Sequence, residues 1–319
     1  MKVCISEFIY KESEPFFKQL LLGHEILLID SSGKLIQGDG RPQVAFVSYD
    51  IMAKCIRKKG FSDNFLSLII GCDFVQGSWA GVESEVAQEL IKCSNYFSHA
   101  GGVHAIPIAS YVLAQMLRQV KGMDIHNKQQ KDLLWKPLLL TGELTDLIVG
   151  ITGYGGIGQE IARLAKAFRM KVYATKRTKI ESSDLDRLFN PSEIKKMLKL
   201  SDFVVNCLPD SPDTNKIFSK DKFQIMKSSS MFINVGRGES VNEQDLSEAL
   251  ISGEIASAAL DVTYPEPLEA DSPLWKLDNC YITPHDSAWA PKGSQRLLDL
   301  FSNNLKLYDN KKKLINQIY

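Results

Sequence analysis

The chain of 319 residues carries 38 basic and 38 acidic residues, so it has no global field to draw nucleic acid or a membrane surface, and any anion site must be local. Hydrophobic residues make up 44% and charged residues 24%, a globular balance with material for two cores, and no apolar run reaches the length of a membrane span. The opening MKVCISEFIYK has no long apolar stretch before a small-residue cleavage site, so a cytoplasmic location is expected.

KVCISEF, EILLID and QVAFVSY read as strands, with a helix over Ser13 to Leu22 between the first two. Glu83 to Lys92 reads as a helix with Val86, Ala87 and Leu90 on one face. HAIPIASYVLAQMLRQV is a longer helix that tolerates Pro107 in its first turn. QQKDLLWKPLLLTGELTD has no clean period and reads as a connecting arm. From Leu147 the pattern becomes regular. LIVGITG, KVYAT, DFVVNCL, MFINV, IASAALDV and CYITP read as six strands, the first without polar alternation, as in a sheet covered on both faces. Between them lie a helix carrying Ile157, Ile161, Leu164, Ala165 and Phe168, a helix over Pro191 to Leu200, a short one over Lys220 to Met226, and one over Asn242 to Ser252. Asn242 is the expected N-cap of that last helix, and Gly253 lies just past its end. Strands alternating with helices imply an α/β fold with a doubly wound parallel sheet.

Cys4, Cys55, Cys72, Cys93, Cys207 and Cys280 lack the close spacing of a zinc or redox pair and read as small core residues in a reducing compartment. The five histidines show no ligand spacing, and no metal is expected.

Gly153-Tyr154-Gly155-Gly156-Ile157-Gly158 fits G-x-G-x-x-G, and it lies between a buried strand and an amphipathic helix, the context the pattern needs. Gly153 permits the tight turn, Gly155 lets the backbone approach a pyrophosphate, and Gly158 lets helix and strand pack closely. N–H groups at the helix start then face the phosphates. An NAD site would place a carboxylate about 20 residues beyond these glycines to hold the ribose hydroxyls. Lys176 stands there instead, followed by Arg177, with the hydroxyls of Thr175 and Thr178 on either side. Arg177 offers a planar fork suited to phosphate, so NADP is expected in preference to NAD. The competing reading makes Lys176 and Arg177 ordinary solvated cations.

INVGRGESV, LDVTYPEP and ITPHD each follow or end a strand, where an open parallel sheet lines its ligand crevice. They bring Arg237, Glu266 and His285 to one region. Hydride transfer to a ketone leaves charge on oxygen and needs a proton donor near neutral pH, which histidine supplies. A neighbouring carboxylate favours the imidazolium, and a guanidinium can hold the carbonyl oxygen of a 2-oxo acid. Taken singly, each of the three also fits a surface cation, a loop carboxylate or a strand-capping histidine.

From about Phe74 to Ala288 the chain resembles the D-isomer-specific 2-hydroxyacid dehydrogenase family. The resemblance is carried by VVNCLPDSPDTNKIF, by INVGRGESVNEQDLSEALISGEIASAALDVTYPEPL and by DSPLWKLDNCYITPH. It implies that Arg237 binds and polarises substrate, that His285 is the acid/base and that Glu266 orients it. It further implies that Asp261 meets the nicotinamide amide and that Cys207, Leu208, Pro209, Val235 and Gly236 line the dinucleotide. SWAGVE is similar to the family's loop for the substrate carboxylate, which points to Ala80, Gly81 and Val82. The implied architecture is two Rossmann-like, doubly wound parallel-sheet domains. A discontinuous, flavodoxin-like substrate domain (1–99 and 286–319) surrounds a dinucleotide domain (100–285), with the active site in the cleft. The implied assembly is a homodimer held through the helix and arm from His104 to about Thr145.

Departures from the family pattern are Ser110 for glutamate, Asp146 and Arg169 for glycines that precede the first two nucleotide-domain strands, and DSAWA after the histidine. The last alters the pocket wall, where Trp79 and Trp289 are candidate lining residues. The expected activity is reduction of a small 2-oxo acid, glyoxylate or hydroxypyruvate, by NADPH. Rival readings are a dinucleotide-sensing, corepressor-like binding protein and, more remotely, a methyltransferase with a nucleotide-binding fold.

Overall fold

The computed structural model describes residues 1–57, 59–82, 84–139 and 141–318. The chain divides into two compact units, one formed by Met1–Val103 with Pro291–Tyr319 and the other by His104–Ala290.

The first unit is built on β1 (Lys2–Ser6), β2 (Glu25–Ile29), β3 (Leu35–Gln37), β4 (Val44–Val47), β5 (Cys72–Gly77), β6 (Ser94–Ser98) and the short strand Gln317–Ile318. The sheet order is 317–318, β6, β5, β4, β1, β2, β3. The five central strands run parallel in a flavodoxin-like order, whereas β3 and 317–318 are antiparallel edges. Alternate residues of each strand feed opposite cores. Val3, Ile5, Phe46 and Phe74 pack with Phe17, Leu297, Phe301 and Leu305. Cys4, Ala45, Val47 and Val75 pack with Ile51, Phe65 and Leu90 on the other face. Each fully buried Leu or Phe here contributes about 1.5–3 kcal/mol.

Ser6 ends β1 early: its hydroxyl accepts from the Ile9 N–H and caps a helix over Glu7–Glu12, so the strand expected to run on to Phe8 stops there. A second helix, Glu14–Leu20, follows with Pro15 in its first turn. Helices at Tyr49–Arg57, Lys59–Ile69 and Gly293–Asp309 were not anticipated from the sequence. The expected helix from Glu83 is found as Glu85–Lys92 with Ser84 as N-cap, Glu83 lying outside the described residues.

The second unit carries β7 (Ile148–Thr152), β8 (Lys171–Thr175), β9 (Arg187–Phe189), β10 (Phe203–Asn206), β11 (Met231–Asn234), β12 (Ser257–Leu260) and β13 (Cys280–Ile282). The order is β13, β12, β11, β10, β7, β8, β9, and every pairing is parallel. Seven strands thus replace the expected six, the extra one being the short edge strand β9. The chain reverses direction across the sheet between β7 and β10, the topological switch point at which this fold opens a ligand crevice. Val149, Ile151, Val205 and Ile233 face the helices Ala105–Val120 and Gly156–Ala167, and Val204, Phe232 and Leu260 face the other side.

The helical segment expected over Pro191 to Leu200 is found there, Pro191–Glu193 running into Ile194–Leu200, with Asn190 as the N-cap through a capping box with Glu193. Asn242 caps Glu243–Ser252 as expected, and Gly253 sits beyond it at φ +75°. The expected arm begins inside a helix, Met123–Lys131, and continues as irregular chain; Leu140 lies outside the described residues. Among the described residues no helix is long and apolar enough to cross a membrane.

Candidate active site

At the end of β7 the chain turns at Gly153 with φ +90°, and a Cβ there would lie 2.9 Å from the Cys207 carbonyl oxygen. A Cβ on Gly158 would come 2.5 Å from the Gly153 carbonyl, so helix and strand meet only because that carbon is missing. The loop tip is the opposite case. Gly155 and Gly156 are exposed, and a Cβ on Gly155 would meet nothing within 4 Å. The helix Gly156–Ala167 starts there, and its first-turn N–H groups have no acceptor within the helix. An open glycine tip over free N–H groups fits a pyrophosphate. Ile157 is half-buried, and Tyr154 is buried with its hydroxyl 3.1 Å from Ser182 Oγ.

The end of β8 divides its polar groups between two jobs. The Thr175 hydroxyl is buried and accepts from the Gly153 N–H at 3.4 Å. Lys176 Nζ donates to the Tyr154 carbonyl at 2.8 Å, so both residues brace the glycine loop. Arg177 and Thr178 are exposed, and Arg177 Nη2 lies 3.3 Å from Asp213 Oδ2. Beyond β10, Cys207 and Leu208 are half-buried and Pro209 is exposed, with burial pushing the Cys207 thiol up. Val235 and Gly236, beyond β11, are buried, and a Cβ on Gly236 would lie 2.6 Å from the Leu208 carbonyl.

Arg237, Glu266 and His285 come from the loops after β11, β12 and β13, three neighbours in the sheet. His285 Nδ1 lies 2.9 Å from Glu266 Oε2, and the Thr263 N–H donates to Glu266 Oε1 at 3.3 Å. The hydrogen bond to Glu266 raises the His285 pKa; desolvation and Arg237 oppose it, and the charges of Glu266 and Asp261 add to it. For Glu266, desolvation pushes the carboxyl up. The His285 hydrogen bond and charge, the Thr263 N–H and the Arg237 guanidinium outweigh that and leave its pKa lowered. Arg237 therefore acts on both members of the pair. His285 itself sits at φ +53°, a left-handed conformation that a non-glycine residue holds only when its surroundings fix it.

Asp261 supplies much of that fixing. It is 3% exposed. Its Oδ1 accepts from the Thr283 hydroxyl at 2.7 Å, the Asp286 N–H at 3.2 Å and the Ser287 N–H at 3.1 Å, and its Oδ2 accepts from the Ser287 hydroxyl. The His285 N–H also donates to the Asp261 carbonyl at 2.8 Å.

A second buried network lies under Arg237. Asn206 Nδ2 donates to Asn234 Oδ1 at 2.9 Å and to Ser240 Oγ at 2.6 Å. Asn206 Oδ1 accepts from Thr152 Oγ1 at 3.1 Å and from the Leu208 N–H at 3.2 Å. Asn234 Nδ2 and Ser240 Oγ both donate to the Arg237 carbonyl, at 3.1 and 2.6 Å. The network joins the strand bearing the glycine loop to the turn bearing Arg237. Sequence reasoning passed over it, although an asparagine inside each of two apolar strands is the available signal.

Residues 113–287 match the family described as D-isomer specific 2-hydroxyacid dehydrogenase, NAD binding domain. The chain belongs to this family. It is 42% identical over 175 residues to the glyoxylate reductase/hydroxypyruvate reductase of Mus musculus, covering 54% of this chain and 53% of that protein. The matched segment thus spans about half the length of that relative. Among solved structures it resembles a D-isomer specific 2-hydroxyacid dehydrogenase family protein from Aeromonas salmonicida, with TM-score 0.79, 26% identity and coverage of 100% of this chain and 98% of that one. It also shares the fold of the NADPH-dependent glyoxylate/hydroxypyruvate reductase of Sinorhizobium meliloti in complex with NADP and sulfate. That likeness has TM-score 0.76 and 24% identity, and covers 99% and 97% of the two chains.

Two of the departures from the 2-hydroxyacid dehydrogenase pattern have a visible geometry. Asp146 and Arg169 adopt φ +63° and +60°, the left-handed region in which glycine is at ease. In the first unit, Ala80 is exposed and Gly81 and Val82 are half-buried in the loop after β5, where the Val82 carbonyl accepts from Gln88 Nε2 at 2.6 Å. Trp79 packs on Phe97, with ring centroids 5.7 Å apart, which is a structural use of that side chain. Trp289, in the second unit, is 83% exposed.

Proposed function

We propose that this family member reduces a small 2-oxo acid, glyoxylate or hydroxypyruvate, to the D-2-hydroxy acid with NADPH. The observation that carries the reading is the convergence of Arg237, Glu266 and His285 on adjacent strand ends of the unit that holds the glycine loop. When bound, the dinucleotide supplies the hydride to the substrate carbonyl carbon. Gly153 to Gly158 receive its pyrophosphate, with Cys207, Leu208, Pro209, Val235 and Gly236 beside it and Asp261 as acceptor for the nicotinamide amide. Arg177 and Thr178 contact the 2′-phosphate, while Lys176 and Thr175 support the loop from behind.

Arg237 holds the substrate carboxylate and carbonyl oxygen and stabilises the charge that develops on that oxygen. Glu266 occupies His285 Nδ1, which leaves Nε2 to deliver the proton. The carbonyl thereby gains a hydride on carbon and a proton on oxygen, and His285 leaves the step neutral. The raised His285 pKa favours the protonated donor at neutral pH. Trp289 contributes to the pocket wall. In this reading 1–99 with 286–319 forms the substrate domain and 100–285 the dinucleotide domain.

The assembly we infer is a homodimer. Leu133, Trp135 and Leu139 on the arm are 92%, 101% and 88% exposed, a cost that a second copy would remove. The unpaired cysteines suit a reducing, cytoplasmic setting. The test of the reaction is a spectrophotometric screen of 2-oxo acids with NADPH and NADH in parallel. Oxidation of NADPH by glyoxylate or hydroxypyruvate at enzymatic rates is expected, and no turnover with any 2-oxo acid would overturn the proposal.

A further inference from the structure

Arg177 is joined to Asp213 by a single contact of 3.3 Å between side chains that are 74% and 81% exposed. Arg177 follows β8 and Asp213 lies in the loop after β10. Those strands are the two neighbours of β7, which carries the glycine loop. The ion pair therefore links the loops on both sides of the switch point, where the dinucleotide crevice opens. Lys176, the adjacent cation, is already committed to the Tyr154 carbonyl, so at this strand end Arg177 is the guanidinium placed toward the crevice rim.

We propose that Asp213 is a specificity-determining residue: it is the counter-ion that Arg177 exchanges for the 2′-phosphate of NADP. The inference rests on the dinucleotide reading above and adds a residue to which the family resemblance assigned no role. Arg177 keeps one charge-assisted contact when it pairs with Asp213, and a phosphate offers its planar fork two. An exposed pair with one N–O contact holds weakly, so the exchange is easy. The Asp213 carboxylate also stays near the site after the exchange and repels the phosphate dianion. Both effects have the same sign: Asp213 weakens binding of the phosphorylated dinucleotide and leaves the unphosphorylated one alone. Asp213 thus narrows the margin by which NADP is preferred.

The experiment is a fluorescence titration with NADPH and with NADH of purified wild type, Asp213→Asn, Arg177→Ala and the double variant carrying both substitutions. Asp213→Asn is expected to tighten NADPH roughly two- to fivefold, as the loss of one exposed ion-pair competitor allows, and to leave the Kd for NADH unchanged. In the Arg177→Ala background the gain should shrink, because only the repulsion remains. An unchanged or weaker NADPH Kd in Asp213→Asn, or an equal gain for NADH, overturns the proposal while the reductase reading stands. If wild type binds NADH as tightly as NADPH, the phosphate site itself is wrong and this inference falls with it. If wild type binds neither, the dinucleotide reading fails as a whole.

Discussion

Replacing Asn206 by leucine removes four hydrogen bonds, three of them buried and one half-buried, at nearly constant volume, and the structure says what each loss leaves behind. Thr152 Oγ1 keeps the Val205 carbonyl at 3.2 Å, Asn234 Oδ1 keeps the Gly236 N–H at 3.2 Å, and Ser240 Oγ keeps the Arg237 carbonyl. The Leu208 N–H loses its acceptor. Three bonds lost from groups that retain a partner cost about 0.5–1.5 kcal/mol each, and one stranded N–H about 1–3 kcal/mol. Asn206→Leu should therefore destabilise the second unit by about 2.5–7.5 kcal/mol, a large share of what a domain has. Urea unfolding, followed by a probe in that unit because two domains need not melt together, reads the change as a lower midpoint at unchanged slope. The surviving protein should also show a raised KM for the 2-oxo acid, because Asn234 and Ser240 hold the Arg237 carbonyl. A loss below about 1 kcal/mol would mean that the network is not the anchor described, since even one stranded N–H costs that much.

His285→Gln should lower kcat by about 10²–10⁴-fold while NADPH titration stays normal, and an unchanged kcat would assign the proton to another group. Glu266→Gln should move the alkaline limb of reduction to lower pH. In the proposed reaction, reduction uses the imidazolium and fails as pH rises through the His285 pKa, which Glu266 holds up; an unmoved limb would contradict the pairing. The same pair sets a stability window. The His285 share is full below its ordinary value of 6.5 and is lost as pH rises through the raised folded value, and the Glu266 share is present above 4.5 and lost as pH falls through its lowered one. Trp135→Asp should shift the protein toward monomers in sedimentation velocity, and an unaltered oligomer would remove the arm from the interface.

The second unit was legible because its strands are covered on both faces and read as uninterrupted apolar runs, and because its glycines and caps sit where backbone geometry demands them. Gly153, Asn242 and Gly253 are examples. The edge strand β9 escaped because three residues, one of them a charged arginine, carry no period. The helix Lys59–Ile69 interleaves Gly60, Ser62, Asp63 and Asn64 with its apolar face, which masks it. Leu297, Phe301 and Leu305 do recur at helical spacing, so Gly293–Asp309 was readable and was missed. Within the site, the motifs marked Arg237, Glu266 and His285, but not what holds them: Asp261 bonds Thr283, Asp286 and Ser287 across more than twenty residues, and Asn234 and Ser240, each three residues from Arg237, are themselves tied to distant Asn206. The division of labour at β8 was likewise invisible: two adjacent cations look alike in a string, and only coordinates tie one to Tyr154 and the other to Asp213.

The first core draws on both flanks of the chain: Phe301 stacks on Phe46 with ring centroids 4.7 Å apart, and Leu297 and Leu305 fill the space around Phe17 and Phe74. On the ribosome those three residues emerge only after the whole of His104–Ala290 has been made. The N-terminal strands must therefore wait, with their aromatic face wet, while the later-made nucleotide unit already has everything it needs to close. Nascent chains stalled within the nucleotide unit should bind chaperones through residues 1–103, and that dependence should vanish once the helix Gly293–Asp309 clears the exit tunnel.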